Sequence, residues 1–265
     1  MTITNESTNG KATRVPTDDV VTQLVNRILR LEDERAIDKL MAHRAYLHSA
    51  GRHDIEVEQL WSKRSDIIFE PEDWGGWTGH EAMQQNYVKG NPFPPTTKGL
   101  MIEHTLTTGI IEIADDRQTA KGVWISPGHE TFPMGDTMRP HWSWGRYAVD
   151  FVREDGGWRI WHLHVLTTFR TPYDKSWVES SLQRPEYLPT EGEAMPGMSG
   201  PDRPVSYNQP YSVNHQPQYQ PVPPEPYSTW TETFSCVDVH DHSITHAGRQ
   251  AGLVPPFRSD GRTTL

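Results

Sequence analysis

The chain has 265 residues, a formal net charge of −10 and a single cysteine, Cys236. This length allows one large domain or two modest ones, and one cysteine excludes an intrachain disulfide framework. An acidic chain lacks the basic surface on which nucleic acids and anionic membranes depend. The N-terminal stretch has no apolar signal region, and no apolar run reaches the ~18 residues of a membrane-spanning helix. We therefore expect a cytoplasmic protein with no nucleic-acid and no membrane partner.

The first part of the chain has helical periodicity. Residues 1–16 are polar and are interpreted as a flexible arm, after which Thr17 or Asp18 can cap a helix. Apolar residues then recur every three or four positions, which predicts a first helix and a second from about Asp33 to Ala50, stopped by Gly51. Shorter helices are predicted near residues 55–63 and 79–90.

The period changes to two further along the chain, which is typical of strands. Four long strands are predicted, at Leu100–Ile113, Thr119–Thr131, Arg139–Glu154 and Trp158–Arg170. The sequences ADDR and EDGG between them are hairpin turn signals. Helices followed by a long meander indicate an α+β domain at residues 17–170, with helices on one face of a curved antiparallel sheet.

Residues 171–265 differ in composition, since fourteen of the 22 prolines fall here. Proline has no backbone donor and cannot continue a sheet ladder. A disordered tail is one interpretation of this region. Its frequent aromatic residues favour the other, an irregular extension that wraps the domain or a neighbouring subunit.

Several segments carry a family resemblance: LEDERAIDKLMAHRAYLHSAGRHD, QLWSKRSDIIFEP, WTGHEAM, EHTLTTGIIEIADDRQTAKGVWI and GRYAVDFVREDGGWRIWHLHV. In this order and spacing they resemble the SnoaL-like branch of the nuclear transport factor 2-like superfamily, over about Leu31 to Val165. The resemblance implies a cone-shaped α+β barrel whose long helix closes a bent sheet around an apolar pocket. Members include polyketide cyclases, scytalone dehydratase and ketosteroid isomerase. Most are cofactor-free acid–base enzymes and some only bind, so the fold does not settle the function.

The resemblance places His104, in IEHTLTTGI, where dehydratase-like members carry a pocket histidine that transfers a proton. Thr108 takes a place often held by a pocket asparagine. An imidazole suits proton transfer near neutral pH. The alternative is an ordinary half-buried strand histidine. Glu112 shares the predicted strand face but lies eight residues, or about 26 Å, further along.

Tyr46 matches a family tyrosine that is followed by two acids, of which the second corresponds to Asp54. The place of the first acid, which pairs with the pocket histidine in the scytalone dehydratase type, is taken by Gly51. A copied dehydratase mechanism is therefore in doubt. Tyr46 can still donate a hydrogen bond to a substrate oxygen, or it is a core tyrosine. Arg44 and His48 lie on the same helix and are further candidates for substrate contacts.

His162 and His164 alternate in the strand-like stretch GGWRIWHLHV. Strand parity and the family resemblance place both on the inward face, as proton carriers or substrate contacts. They could instead lie in a subunit interface. A metal site is a third interpretation, in which these two residues join candidates from CVDVHDHSITH, namely Asp238, His240, His242 and His246. We predict no metal.

Aromatic residues surround the joint between two predicted strands. Trp124, Trp142 and Trp144 could form one wall of an aromatic pocket, with Arg146 or Arg139 binding an oxygen substituent. The alternative is a hydrophobic sheet face or an oligomer contact.

Together these features predict a lyase that needs no cofactor and acts on a bulky oxygenated aromatic substrate, in a homo-oligomer. Catalysis is assigned to His104, Tyr46, His162 and His164. One predicted chemistry is dehydration. The other is deformylation of a lignin-derived diarylpropane diol to a stilbene and formaldehyde, as in the diarylpropane lyases that share this superfamily. Three alternatives stay open: a dehydratase or isomerase of a polycyclic substrate, a metal-dependent enzyme, and a non-catalytic binding protein.

Overall fold

The computed structural model describes residues 17–71, 75–134, 136–179, 199–206, 209–217 and 220–230. A single helix, α1 (Thr17–Ser49), replaces the two successive helices predicted from the sequence. It is followed by α2 (His53–Leu60) and by α3 (His80–Met83), which passes into a π-helical segment, Gln84–Lys89. No helix in these parts of the chain is long and apolar enough to cross a membrane.

The end of α1 confirms the predicted stop. Gly51 has a φ of 66°, a left-handed conformation that glycine adopts without the steric penalty of a Cβ. The Ala50 amide donates to the Tyr46 carbonyl (3.0 Å), and the Arg52 amide donates to the Leu47 carbonyl (2.8 Å). These bonds satisfy the last carbonyls of α1 and turn the chain at once into α2.

Within the described residues, seven strands form one sheet: β1 (Ile68–Glu70), β2 (Trp77–Thr78), β3 (Met101–His104), β4 (Thr107–Ile113), β5 (Thr119–Met134), β6 (Thr137–Glu154) and β7 (Gly157–Pro172). The order is β2-β1-β7-β6-β5-β3, and β4 also pairs with β5. β1 runs parallel to β7, whereas the other pairs are antiparallel. The α+β class is confirmed, but the curved sheet is mixed and not purely antiparallel, because β1 pairs with β7 in parallel.

The prediction of one strand over Leu100–Ile113 is wrong. Thr108 has a left-handed φ of 50°, and the pairing with β5 shifts its register between Thr107 and Ile110. The chain forms two short strands, β3 and β4, that both pair with β5, and the irregularity at Thr108 breaks the predicted common face within β4. Ile111 packs on the core, whereas Ile110 is exposed.

The EDGG turn is confirmed. Asp155 (φ 49°) and Gly156 (φ 76°) are both left-handed, and Glu154 pairs with Gly157 across them. Two such residues make the hairpin turn whose twist matches that of the flanking strands. This turn sets the register of β6 against β7.

The hydrophobic core lies between α1 and one face of the sheet, here called the inner face. Ile37 and Met41 of α1 are buried against it, and β6 contributes alternate residues, Tyr147, Val149 and Phe151. The alternation follows from the two-residue period of a strand. The residues between them on β6 point to the outer face.

A bulge in β7 overturns the prediction that His162 and His164 point inward. Asp150 pairs with His162, but its neighbour Phe151 pairs with Ile160, so that Trp161 is an extra residue on β7. Leu163 pairs with inward-facing Val149 and is fully buried in the core. Both histidines therefore lie on the outer face, since one inserted residue reverses the parity of a strand.

C-terminal segments lie against the sheet and the loops of the domain. The Gly76 amide donates to the Arg203 carbonyl (2.9 Å), and the Tyr211 amide donates to Thr168 (2.7 Å). Further along, the ring of Trp230 lies 4.6 Å from that of Trp161. The predicted ligands Asp238, His240, His242 and His246 lie outside the described residues.

Candidate active site

His104 ends β3 and lies at the wall of a cavity of about 350 Å³ between α1 and the β3–β5 edge of the sheet. Its Nε2 is 2.8 Å from a carboxylate oxygen of Glu130 on β5. The Cα partner of His104 is Gly128, where a Cβ would come within 2.6 Å of the imidazole. Glycine at this position gives the ring room to reach Glu130.

Glu130 is held by a second partner, Arg170 of β7. The guanidinium donates to both carboxylate oxygens, from Nε and Nη2, at 3.1 Å each. Only 2% of Glu130 and 3% of Arg170 is exposed to solvent. Burial alone would raise the pKa of Glu130, but the Arg170 cation and the His104 hydrogen bond outweigh burial and lower it. Glu130 is therefore ionised at neutral pH and can only accept hydrogen bonds.

A second histidine, His48 of α1, stacks on His104 with 5.1 Å between the ring centroids. Its Nδ1 is 2.8 Å from the Tyr87 hydroxyl and 3.2 Å from Nε2 of His53 on α2. Burial, followed by the nearby Arg44 cation, holds the pKa of His48 well below its usual value. The same two causes lower the pKa of His53 against the pull of Glu56.

Arg44 and Glu56 form a buried ion pair beneath these histidines, with Nε of the guanidinium 3.2 Å from a carboxylate oxygen. Tyr87 donates to Glu56 (3.2 Å), and so does the indole of Trp61 (3.4 Å). Burial and the Glu56 carboxylate raise the pKa of Tyr87 well above its usual value, so that the hydroxyl stays protonated. The arrangement is a continuous polar network inside an apolar core.

His48, His53 and Glu56 are also spaced as metal ligands would be. One ligand atom from each lies within 4.8 Å of the others. Two neutral imidazoles and a carboxylate are a donor set that divalent zinc or iron accepts. The carboxylate, however, is already paired with Arg44, which offsets the charge that would attract a cation.

The cavity has an apolar side formed by Met41, Leu106 and Trp124. The indole of Trp124 sits in a slot between two glycines, since a Cβ at Gly109 or at Gly122 would come within 2.4 Å of it. A neighbouring cavity of about 530 Å³ shares Trp124 and Leu106 with the first. Flat aromatic ligands fit such walls.

Several predicted residues come together here. His104, His48 and Arg44 belong to one network, and Trp124 lines both cavities. Tyr46 lines the cavity with 80% of its surface exposed, so it is a rim residue and not a core tyrosine. Thr108 lies on β4 and lines the neighbouring cavity, not the cavity of His104.

The predicted wall of three tryptophans is wrong. Trp142 and Trp144 alternate with buried Ser143 and point to the outer face, where Trp142 stacks on Tyr173 and Trp144 on Phe169. Arg146 is on the same outer face and donates to the Gln220 carbonyl (2.5 Å). Strand parity separates these residues from the inward-facing Trp124, with which Tyr147 is paired.

His162 and His164 have partners of their own on the outer face. Nδ1 of His162 is 3.0 Å from Asp150, and Nδ1 of His164 is 3.4 Å from Glu70. Ser206 donates to the same Glu70 carboxylate (2.6 Å). Both histidines are buried in these contacts, on the side of the sheet opposite the cavity.

Residues that the sequence did not single out complete the site: Glu130, Arg170, Glu56, His53, Tyr87 and Asn91. The acid opposite His104 is supplied by the neighbouring strand, 26 residues further along the chain. The sequence signal was the glutamate in PGHETF, whose alternation with Gly128 places it on the inner face of β5.

The model of the SnoaL-like domain matches residues 29–164. No curated protein matches the chain. Among solved structures, the chain is similar to hexachlorocyclohexane dehydrochlorinase LinA-type3 from Novosphingobium barchaimii, with 18% identity over 59% of this chain and 97% of that one and a TM-score of 0.44. An NTF2-like protein with a cystatin-like fold from Novosphingobium aromaticivorans has 22% identity over 62% and 97%, with a TM-score of 0.42.

Proposed function

The chain belongs to the SnoaL-like domain family, and we propose that it is an acid–base lyase, without a cofactor, for an oxygenated aromatic substrate. The observation that carries the proposal is the contact of His104 with the buried Glu130–Arg170 pair at the wall of a cavity. A histidine held by a buried carboxylate is a recurrent arrangement for moving protons.

The Glu130 contact defines the role of His104. An ionised carboxylate accepts, so Nε2 of His104 carries the hydrogen that Glu130 receives. The lone pair then lies on Nδ1, which can take a proton from a substrate. The imidazolium formed in this step is stabilised by Glu130, and Arg170 keeps Glu130 ionised and in place.

In a dehydration, Nδ1 of His104 removes a proton from a carbon next to the one that bears a hydroxyl. The C–H electron pair becomes the new double bond, and the C–O bond breaks. The leaving oxygen takes a proton from the His104 imidazolium or from a nearby donor and departs as water. To Tyr46, which lies at the cavity rim, we assign the orientation of an oxygen substituent.

The substrate class follows from the cavity walls. Trp124, Leu106 and Met41 favour an aromatic ring, while Ser49 and Glu103 line the same cavity with polar groups that suit hydroxyl substituents. The adjoining cavity leaves space for a second ring along the same Trp124 wall. Two rings joined by a short oxygenated chain would use both spaces.

A more specific form of the proposal is deformylation of a diarylpropane diol. Loss of the benzylic hydroxyl as water gives a quinone methide. Deprotonation of the terminal hydroxymethyl group then breaks the C–C bond, releases formaldehyde, and returns the electron pair through the new stilbene double bond to the phenol oxygen. One diol gives one stilbene, one water and one formaldehyde, with no oxidant or reductant.

The experiment is incubation of the purified protein with a lignin-derived diarylpropane diol, followed by stilbene absorbance and by formaldehyde release. We expect equal amounts of the two products, and their loss in His104→Ala but not in His129→Ala, which removes an exposed histidine next to Glu130. If the product were an alkene that retains all carbons of the diol, the reaction would be dehydration and not deformylation. Unchanged turnover in His104→Ala would overturn the role of His104 in either reaction.

A further inference from the structure

The first part of α1 extends beyond the core of the domain and exposes an apolar stripe. Residues 18–28 are all exposed to solvent, and the helix is first partly buried at Leu29 and Arg30. The large apolar side chains on this part of the helix have exposed fractions from 41% to 63%. They belong to Val20, Val21, Leu24, Val25, Ile28 and Leu31, which are here called the α1 stripe.

An exposed stripe of this kind does not hold a helix together by itself. An isolated helix of about eleven residues is marginal in water, and most helical stability in proteins comes from packing an apolar face against another surface. Contiguous exposed apolar patches mark interaction sites, whereas scattered apolar residues need no explanation. The α1 stripe therefore has the character of a binding surface.

The stripe points away from the domain that carries it. Successive residues of an α-helix are rotated by about 100° around its axis. Ile37 is fully buried against the sheet and gives the inward direction. Ile28 lies about 180° and Leu24 about 140° from Ile37 on this helix. A second helix along the stripe would thus lie on the side of α1 opposite the core, with room for its own domain beyond it.

The spacing within the stripe is that of a coiled coil. Val21, Leu24, Ile28 and Leu31 follow one another by three, four and three residues, which are positions a, d, a and d of a seven-residue repeat. Val or Ile at a with Leu at d favours two parallel strands. The pattern ends at the next a position, Arg35, whose guanidinium is paired within the helix with Asp38 (2.5 Å).

The residues beside these four positions complement a second copy of the same helix. In a parallel pair, a residue at g faces the e residue five positions further along the partner. Arg27 at g thereby faces Glu32 at e, and both are exposed. Val20 at g faces Val25 at e in the same way and widens the apolar contact. Two-fold symmetry makes each contact occur twice.

An antiparallel pair fits less well. If the same four apolar positions faced one another in opposite directions, Leu24 would lie against Ile28 and Val21 against Leu31. The two Arg27 side chains would then face each other, and like charges across such a pair are unfavourable. Charge therefore favours the parallel arrangement.

We propose that the α1 stripe binds the stripe of a second copy of this chain, as a parallel two-stranded coiled coil. The inference does not rest on the proposed function. It does reach the candidate site, because Leu31 also lines the cavity of about 530 Å³ that adjoins the cavity of His104. A partner helix on the stripe would bring its own Leu31 to the rim of that cavity.

The first test is the mass of the full chain in sedimentation equilibrium, at up to about 100 μM, where weak complexes are also populated. We expect a dimer. Leu24→Lys places a charge on both sides of one apolar layer and should raise the dissociation constant at least about 100-fold. Asn26→Lys adds the same charge at an exposed position f, outside the contact, and should leave the dimer unchanged.

The direction of the helices is tested by cross-linking, with the single native cysteine removed as Cys236→Ser. In a parallel pair each d residue faces its own copy, at a Cα separation of about 4.4–6.8 Å that suits a disulfide. Leu24→Cys and Leu31→Cys should therefore both form disulfide-linked dimers on mild oxidation. Asn26→Cys is the control and should form few.

Charge exchange gives an independent measurement of the same contact. Arg27→Glu should weaken the dimer by about threefold to tenfold, because it sets two carboxylates together at each side of the pair. Adding Glu32→Arg to this variant should restore the affinity, since the charges are then opposite again. Circular dichroism of each variant confirms that the domain remains folded.

Several results would overturn the proposal. One is a parent protein that is monomeric throughout the concentration range. Another is a dimer that Leu24→Lys leaves intact, because a different surface would then hold the copies together. A monomer whose urea midpoint falls in Leu24→Lys would show that segments of the same chain cover the stripe. Equal cross-linking of Leu24→Cys and Asn26→Cys would exclude the parallel coiled coil.

Discussion

Glu130 contacts two positively charged or protonatable groups, His104 and Arg170, from a single buried carboxylate. Its two oxygens lie between β3 and β7, strands that do not pair with each other. Glu130 thus connects the proposed base, His104 of β3, to Arg170 of β7. Both the chemistry and part of the stability of the domain should depend on it.

The variant Glu130→Gln tests how much the Glu130 carboxylate contributes to the stability of the domain. The amide cannot neutralise the buried Arg170 guanidinium, and breaking a buried pair costs about 3–5 kcal/mol. The pKa of Glu130 is lowered in the folded chain from an ordinary value of 4.5, so its contribution is present above that pH and lost as the pH falls through the folded value. In urea unfolding, the difference between the two proteins should be constant from pH 7 to about 5 and shrink below that.

The control for this prediction is Glu81→Gln, which alters an exposed carboxylate and should change the free energy of unfolding by less than about 0.5 kcal/mol. A Glu130→Gln protein as stable as the parent at pH 7 would contradict the prediction. So would a difference that grows as the pH is lowered from 5 to 3.

Sequence reasoning reached His104 through the family resemblance but missed the acid beside it. The two positions at which the sequence suggests an acid are Glu112, on the same predicted strand face, and position 51, which is a glycine. Glu130 becomes a neighbour only through the register of β3 on β5, which sets Ile102 opposite it. No local pattern in the chain specifies that register.

At the scale of elements, the turn between α1 and α2 shows what a side chain at position 51 would meet. Gly51 has a φ of 66°, and a Cβ there would lie 3.3 Å from Cα of Pro95. The position is buried, beyond the end of the helix. A carboxylate at 51 would be strained and crowded, and the acid beside His104 is Glu130 of β5.

Comparing Gly51→Ala with Gly156→Ala measures how much Pro95 restricts the turn. At Gly156 φ is also left-handed, at 76°, but nothing lies within 4 Å of the added Cβ. Both variants carry the cost of a left-handed residue, about 1 kcal/mol. Only Gly51→Ala also presses on Pro95, so its urea midpoint should fall further. Equal destabilisation of the two proteins would show that Pro95 does not restrict the turn.

The slot in β4 and β5 that holds Trp124 gives a second prediction at this scale. Gly109→Ala adds a methyl group 2.4 Å from the indole, which must then move toward the cavity. We expect weaker binding of a naphthol probe by at least about tenfold, together with a loss of about 1–3 kcal/mol of stability from overpacking. Calorimetry measures the binding of the probe, and unfolding measures the stability. The control for both is Gly157→Ala, because the nearest atom to the added Cβ would be the tip of Arg159, at 3.5 Å.

At the scale of the whole molecule, the outer face of the sheet shows where the two-residue alternation of the sequence stops predicting the direction of side chains. Period-two alternation correctly located β5, β6 and β7 and the turn between the last two. It failed at Trp161, because a bulge has no local signature and reverses the parity of the residues that follow, until a second bulge at Thr168 restores it and turns Arg170 to the inner face. The bulge therefore places His162 and His164 on the outer face, where C-terminal segments pack, and not in the cavity as the alternation predicted.

His164 allows that packing to be tested by pH. It lies beside Glu70, which also binds Arg203 and Ser206 of the C-terminal region. Burial, followed by the Arg203 cation, lowers the pKa of His164 to about 3. A histidine with a lowered pKa in the folded state contributes stability above its ordinary value of 6.5, and the contribution declines as the pH falls from there toward 3.

The urea midpoint of the parent protein should therefore drop between pH 6.5 and 4. His164→Asn cannot take up the proton, so it should be less stable than the parent at pH 7 but lose less on acidification. His43→Asn, at an exposed position of α1, should keep the parent's pH dependence. If His164→Asn and the parent lost stability in parallel, acid would act elsewhere, and the buried imidazole would not couple the C-terminal segments to the sheet.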